Sequence, residues 1–315
     1  MRMVHLKGLL ALVLCAWLGV AAAMPPQLFK PEWFLPLARL SPADGARVVL
    51  PQAPVDVSAV RYVAQDRSLS LQDFQQRARV KALLVVHRGR VVYEHHRWPY
   101  GPQSRHQSWS VMKQVLSTLV GQAVMRGDIR SLDEPMDRYL PALATNGFAG
   151  VSFRQALLMT AGVRYVEDVD RVRLFQSTIL RRLSGGLVGE SLAQQVASPK
   201  LDQAYQPGSR YEYASIVSQA VGMALEAATG QSVRALVQRD VWQALGVPDE
   251  GRLLVDGDGQ AIAEKQAVEV LDGRRLWPLL SPYLPGDIES GVKNAARHES
   301  IRRIVIAAFA SSTLG

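Results

Sequence analysis

The sequence predicts an α+β fold from three observations. Two runs rich in β-branched residues, 82–87 and 91–95, flank the turn Arg88-Gly89-Arg90 and read as a hairpin. From there to about Gly246 the apolar residues recur at helical spacing. Helix boundaries punctuate that block: Ser152 and Gln155 form a capping box, and Gly127, Gly230 and Gly246 follow periodic segments. A sheet hairpin followed by a helical block describes an α+β architecture with two regions.

Taken in order, residues 1–23 begin with Arg2 and Lys7, continue through an apolar run at 8–20 and end in Ala21-Ala22-Ala23. That composition predicts a secretory signal peptide and a periplasmic or secreted protein, in contact with a membrane only transiently. The alternative, an uncleaved anchor, is disfavoured because the run is shorter than the roughly 20 residues that span a bilayer. Cys15 is the only cysteine, and Leu14 before it is bulkier than a lipoprotein signal needs. A mature chain without Cys15 has no thiol and no disulfide. Residues 24–81 open with a proline-rich arm to Pro54 and lead into the hairpin. Helices are predicted from Ser110 to Gly127, after Ser152, over 216–228 and over 232–245, the last closed by Gly246 and Pro248.

Apolar residues make up 48% of the chain, enough for an ordinary core. The formal charge of +8 falls to +6 without Arg2 and Lys7, and the excess is dispersed, with no basic run interleaved with aromatics. Nucleic acid is therefore disfavoured as a partner, and a solvated basic surface is the simpler reading. His87, His95 and His96 lie on or near the hairpin without metal-ligand spacing, so no metal is expected.

Ser110-Val111-Met112-Lys113 carries the most chemistry. A serine and a lysine three residues apart on a helix share a face, so the amine can accept the hydroxyl proton. The spacing recurs at Ser290-Gly291-Val292-Lys293, but there the neighbours read as a loop. Around Ser110 the apolar residues Met112, Val115, Leu116, Leu119, Val120, Ala123 and Val124 keep helical spacing, which favours a nucleophile over a plain N-cap. Tyr213-Ala214-Ser215 precedes the 216–228 helix. A phenol beside an ammonium can shuttle protons, although Tyr213 packed in a core and Ser215 as a helix cap is the blander account.

Six stretches in order resemble the serine β-lactamase and penicillin-binding-protein superfamily. They are 82–94 (ALLVVHRGRVVYE), 105–113 (RHQSWSVMK), 127–141 (GDIRSLDEPMDRYLP), 151–162 (VSFRQALLMTAG), 207–215 (PGSRYEYAS) and 244–250 (ALGVPDE). The nearest branch is that of class C enzymes, esterases and 6-aminohexanoate-dimer hydrolases, and the likeness runs over 82–259. It implies a β-lactamase/transpeptidase-like fold, with an antiparallel sheet flanked by helices plus a helical region. It further implies Ser110 as the acyl-accepting nucleophile, Lys113 as its activator and Tyr213 as general acid/base. Ser215, where relatives usually carry Asn, would hydrogen-bond Lys113, and Trp109 would line the pocket unless it is a packed structural residue. The backbone N–H of Ser110 would be one oxyanion donor. The implied reaction is hydrolysis of a small-molecule or peptide amide or ester, without a cofactor.

The family's third motif, a Lys or His followed by Thr, Ser or another residue and then Gly, has no convincing copy after Tyr213. Neither Ser290-Gly291 nor Thr313-Leu314-Gly315 is preceded by a basic residue or histidine. Residues 260–315 diverge from the family tail, although 304–309 can form a strand. A C-terminal truncation with an incomplete sheet is the expectation, and a noncatalytic remnant that binds cell-wall peptide or acyl ligands is the alternative function.

Overall fold

The computed structural model describes residues 35–45, 49–102, 104, 106–166, 172–173, 176–262, 266–270 and 304–310. The predicted signal segment 1–23 with Cys15, the arm at 24–34, Arg105, the Ser290–Lys293 copy and Thr313-Leu314-Gly315 lie outside the described residues. The chain divides into Met1–Leu35 and Pro36–Gly315, and every element below belongs to the second unit.

The arm does not stay loose where it is described. Its β1 (Leu37–Leu40) pairs antiparallel with Gly251–Leu254 far along the chain. Beyond β1, the amides of Ala53 and Val55 bond to the carbonyls of Val91 and Val92, and Val91 N–H bonds to Pro51. A short hairpin follows, β2 (Arg61–Ala64) with β3 (Arg67–Ser70), turning at Gln65 and Asp66 with left-handed φ of 52° and 56°. Ser70 and Asp73 then form a capping box that starts α1 (Leu71–Arg77).

The predicted hairpin is β4 (Val80–His87) and β5 (Arg90–His96), with Arg88 and Gly89 both at positive φ. That two-residue turn matches the twist of its strands, which is why glycine is useful there. β6 (His106–Trp109) interrupts the helical block expected after the hairpin. No alternation in His-Gln-Ser-Trp announces a strand; its distant partner creates it.

α2 (Met112–Arg126) buries Met112, Leu116, Leu119, Val120 and Ala123 on one face and stops at Gly127, φ 83°. α3 (Phe153–Leu157) carries the predicted Ser152/Gln155 box, and α4 (Leu192–Val196) carries another at Ser191/Gln194. α5 (Ser215–Thr229) is buried over most of its circumference and ends at Gly230, φ 66°. The helix expected over 232–245 is α6 (Val233–Val237) followed by a π-helix at Gln238–Gln243. Both glutamines bounding that wider turn reach the N-terminal arm: Gln238 bonds to Ser41 in both directions, and Gln243 bonds to Pro42 and Asp44. α2 and α5 supply much of the main core, completed by Phe148, Phe153, Leu236 and Trp242.

Among the described residues three further strands follow. β7 (Gly251–Leu254) is the partner of β1, and a Cβ at Gly251 would collide with the Trp242 indole. β8 (Gln266–Val270) pairs antiparallel with β6, placing Gln266 opposite Trp109. β9 (Ile304–Ala310) pairs antiparallel with β4, so the hairpin sheet runs β5-β4-β9. The divergent tail therefore returns a strand to the early hairpin, in the stretch 304–309 where the sequence allows one. β4, apolar on both faces, is suited to a central position.

One contact outside regular structure positions the site. The segment after α3 is zipped to the chain before α5: Ala204 and Tyr205 N–H donate to Gly162, Gly208 to Thr160 and Glu212 to Met159. Gly162 sits at φ 73°, where a Cβ would strike the Tyr205 carbonyl oxygen. Gly162→Ala combines a left-handed penalty with overpacking, so a loss of about 2–4 kcal/mol is expected. Urea unfolding checks this, and an unchanged midpoint contradicts it.

Candidate active site

Ser110 lies in the turn from β6 to α2, where Val111 N–H bonds to Ser108 and Lys113 N–H bonds to Ser110. The N-cap position of α2 is Val111, with no side-chain cap bond, so the Ser110 hydroxyl is not spent on capping. It faces Tyr213 instead, with Oγ 2.7 Å from the phenol Oη. Lys113 Nζ donates to the same Oγ at 3.4 Å and stands 5.1 Å from the centre of the Tyr213 ring. One turn of helix thus brings nucleophile and ammonium together. Tyr213 arrives from 103 residues away.

Lys113 is 9% exposed, while Tyr213 keeps one edge in solvent. Burial pushes the Tyr213 phenol up. Hydrogen bonds from Ser110 and Lys113, the Lys113 charge and a smaller contribution from Ser215 outweigh it, so the pKa falls below the ordinary 10.0. Ser215 is the first residue of α5, wholly buried, and the cap position belongs to Ala214. Its hydroxyl is thus placed to support the phenolate, and the helix-cap account of Ser215 does not hold. The Trp109 backbone ends β6 immediately before the nucleophile, and its indole lies outside the described side chains.

The histidines sit on the sheet side. His106, 8% exposed, is pushed down to about 4 by burial and then by the charges of Lys81 and His96. His106 is therefore neutral at neutral pH. Among the described residues no three His, Cys, Asp or Glu side chains are grouped to hold a metal.

A cavity of about 270 Å³ opens beside the Ser110, Lys113 and Tyr213 cluster. It adds Gln114, Met159 and Tyr211, none of which the sequence reading identified. Tyr211 had a signal: in an extended approach to α5, residues two apart share a side, so Tyr211 accompanies Tyr213. Met159 had none. It adopts φ 57° just past α3, and a non-glycine residue there marks a backbone held by its surroundings.

The curated relatives include a 6-aminohexanoate-dimer hydrolase of Paenarthrobacter ureafaciens, 32% identical over 137 residues, 42% of this chain and 32% of that protein. Esterase EstB of Burkholderia gladioli is 29% identical over 178 residues, 52% of this chain and 43% of that protein. The matches thus span less than half of either relative. Among solved structures, one from Bacillus anthracis, provisionally assigned as a 6-aminohexanoate-dimer hydrolase, superposes with a TM-score of 0.71 at 19% identity. It covers 84% of this chain and 72% of that one. The penicillin-binding protein of Bacillus halodurans gives 0.52 at 17% identity over 68% and 74%. These similarities show the β-lactamase/transpeptidase-like fold, an α+β arrangement of small antiparallel sheets and helices. The Beta-lactamase family model matches residues 61–250, a span that holds the hairpin, Ser110, Lys113 and Tyr213 together, and the chain belongs to that family.

Proposed function

We propose that the protein is an exported serine hydrolase that cleaves an amide or ester through an acyl-enzyme on Ser110. The observation that carries this reading is the 2.7 Å approach of the Ser110 hydroxyl to a phenol whose pKa is lowered beside Lys113. Tyr213 as phenolate takes the Ser110 proton while Oγ forms a bond to the substrate carbonyl carbon. The carbonyl π pair moves to oxygen, where the Ser110 backbone N–H at the head of α2 donates to it. When the carbonyl reforms, the bond to the leaving alcohol or amine breaks and Tyr213 returns its proton to that group. In the second half water attacks the acyl carbon and gives a proton to Tyr213, which passes it to the departing Ser110 oxygen. Lys113 supports the phenolate through its hydrogen bond and its charge. No cofactor enters these steps.

The relatives support the substrate class, since one is described as a 6-aminohexanoate-dimer hydrolase and the other as an esterase. The basic, apolar, alanine-ended segment 1–23 supports export to the periplasm or beyond. A noncatalytic remnant has no need of a buried lysine and a tyrosine converging on one hydroxyl, so the assembled cluster weighs against it. Labelling with a fluorophosphonate followed by peptide mass spectrometry tests the reading. The adduct is expected on Ser110, and folded protein that takes no adduct there overturns it.

A further inference from the structure

The cavity at the nucleophile continues along α2. Ser110, Lys113, Gln114 and Ser117 recur every three or four residues, so they share one face. Seven residues at 1.5 Å each carry that face about 10 Å from Ser110. Leu157 and Met159 form the facing wall, and Ser218 and Val221 of α5 form the floor. The volume of about 270 Å³ is nearly double the ~150 Å³ that suffices for a benzene ring.

Two features define what fits. Among the described residues lining the groove, Lys113 is the only charged side chain, and it is already engaged with Ser110 and Tyr213. An ammonium entering the groove would meet no counter-charge among the described lining residues, and a carboxylate would meet only the already engaged Lys113; burying a charge without its own partner is costly. The second feature is Ser218 of α5, a hydroxyl-bearing residue 4% exposed that lines the groove floor. Polar and apolar residues share the lining, and a nearly buried hydroxyl there gains from a polar atom brought by a ligand.

We infer that this groove is the acyl pocket of the enzyme. It takes an uncharged chain of medium length, and Ser218 hydrogen-bonds an amide or hydroxyl carried by that chain. The inference rests on Ser110 being the nucleophile. It departs from the substrate named for the Paenarthrobacter relative, because a 6-aminohexanoyl chain ends in an ammonium at neutral pH.

The test compares kcat/KM for 1-naphthyl esters of acetic, hexanoic, 6-acetamidohexanoic and 6-aminohexanoic acids and for the adipic monoester. Hexanoate and 6-acetamidohexanoate are expected to exceed the 6-aminohexanoate and adipate esters at least tenfold. Ser117→Phe, which fills the far end, should lower the hexanoate-to-acetate ratio at least tenfold. Ser218→Ala should lower the 6-acetamidohexanoate-to-hexanoate ratio about fivefold. Fluorophosphonate labelling of Ser110 is measured alongside in each variant. Labelled enzyme that turns over all five esters alike, or ratios that neither variant moves, overturns the groove assignment while leaving the nucleophile in place. Absence of both label and turnover overturns the hydrolase reading and this one with it.

Discussion

Ser110→Ala is expected to lower kcat/KM for an activated ester by about 10⁴-fold or more, the scale seen when a serine nucleophile is removed from an assembled site. The size of the effect follows from the geometry. Tyr213 and Lys113 converge on one oxygen, and without it neither has a proton to receive or a covalent intermediate to stabilise. The fold should be indifferent to the change. Ser110 makes no cap bond to α2, and the apolar face of α2 that packs in the core begins at Met112. Thermal melting of the variant is therefore expected to match wild type within a degree or two. Steady-state kinetics and a melting curve on the same sample check both parts, and a folded variant with wild-type turnover would assign the nucleophile elsewhere.

Tyr213→Phe should cost about 10²–10⁴-fold in kcat, the usual worth of a positioned acid/base. Its pH signature separates a proton-transfer role from a packing role. Tyr213 has a lowered pKa, so the phenolate is populated at lower pH than in free tyrosine. If the phenolate is the base, wild-type activity rises with pH along a limb whose midpoint lies below 10.0. Lys113→Met removes the hydrogen bond and the charge that lower the pKa and leaves burial, which raises it. The limb should then move to higher pH, with the loss of rate greatest at neutral pH and partly recovered in alkali. Tyr213→Phe should abolish the limb altogether. A Lys113→Met enzyme that is slower by the same factor at every pH would make the lysine, rather than the tyrosine, the proton acceptor.

Much of this site could be read without coordinates, for a physical reason. Ser110 and Lys113 are three residues apart, and that spacing predicts them on one side of the chain; in the structure Ser110 sits in the turn just ahead of α2, and the 3.4 Å contact is made across that turn. The Ser152/Gln155 box and the glycine stops at Gly127 and Gly230 are equally local and occur where the sequence predicts them. The hairpin at Arg88-Gly89 belongs with them, since its turn dihedrals depend on two residues.

Features that depend on a distant partner were not legible. β6 is a strand because Gln266–Val270 lies beside it, and β9 belongs to the hairpin sheet through its register with β4. Met159 is held left-handed, with its carbonyl receiving the Glu212 amide, a constraint that no residue near Met159 in sequence announces. Ser215 looked like a cap or a lysine partner, and its burial beneath Tyr213 emerged only once α5 was packed.

By itself, then, the sequence determined the local half of the candidate site: a serine and a lysine on one helical face, with tyrosine and serine at the head of another helix. Tertiary structure alone decided that the two halves meet, with a phenol 103 residues away brought to 2.7 Å from the nucleophile. Dihedral preferences and side-chain periodicity act within a few residues and are written in the chain. The meeting of α2 and α5 depends on buried area and on backbone bonds from 159–162 to 204–212, which exist only when the whole fold closes.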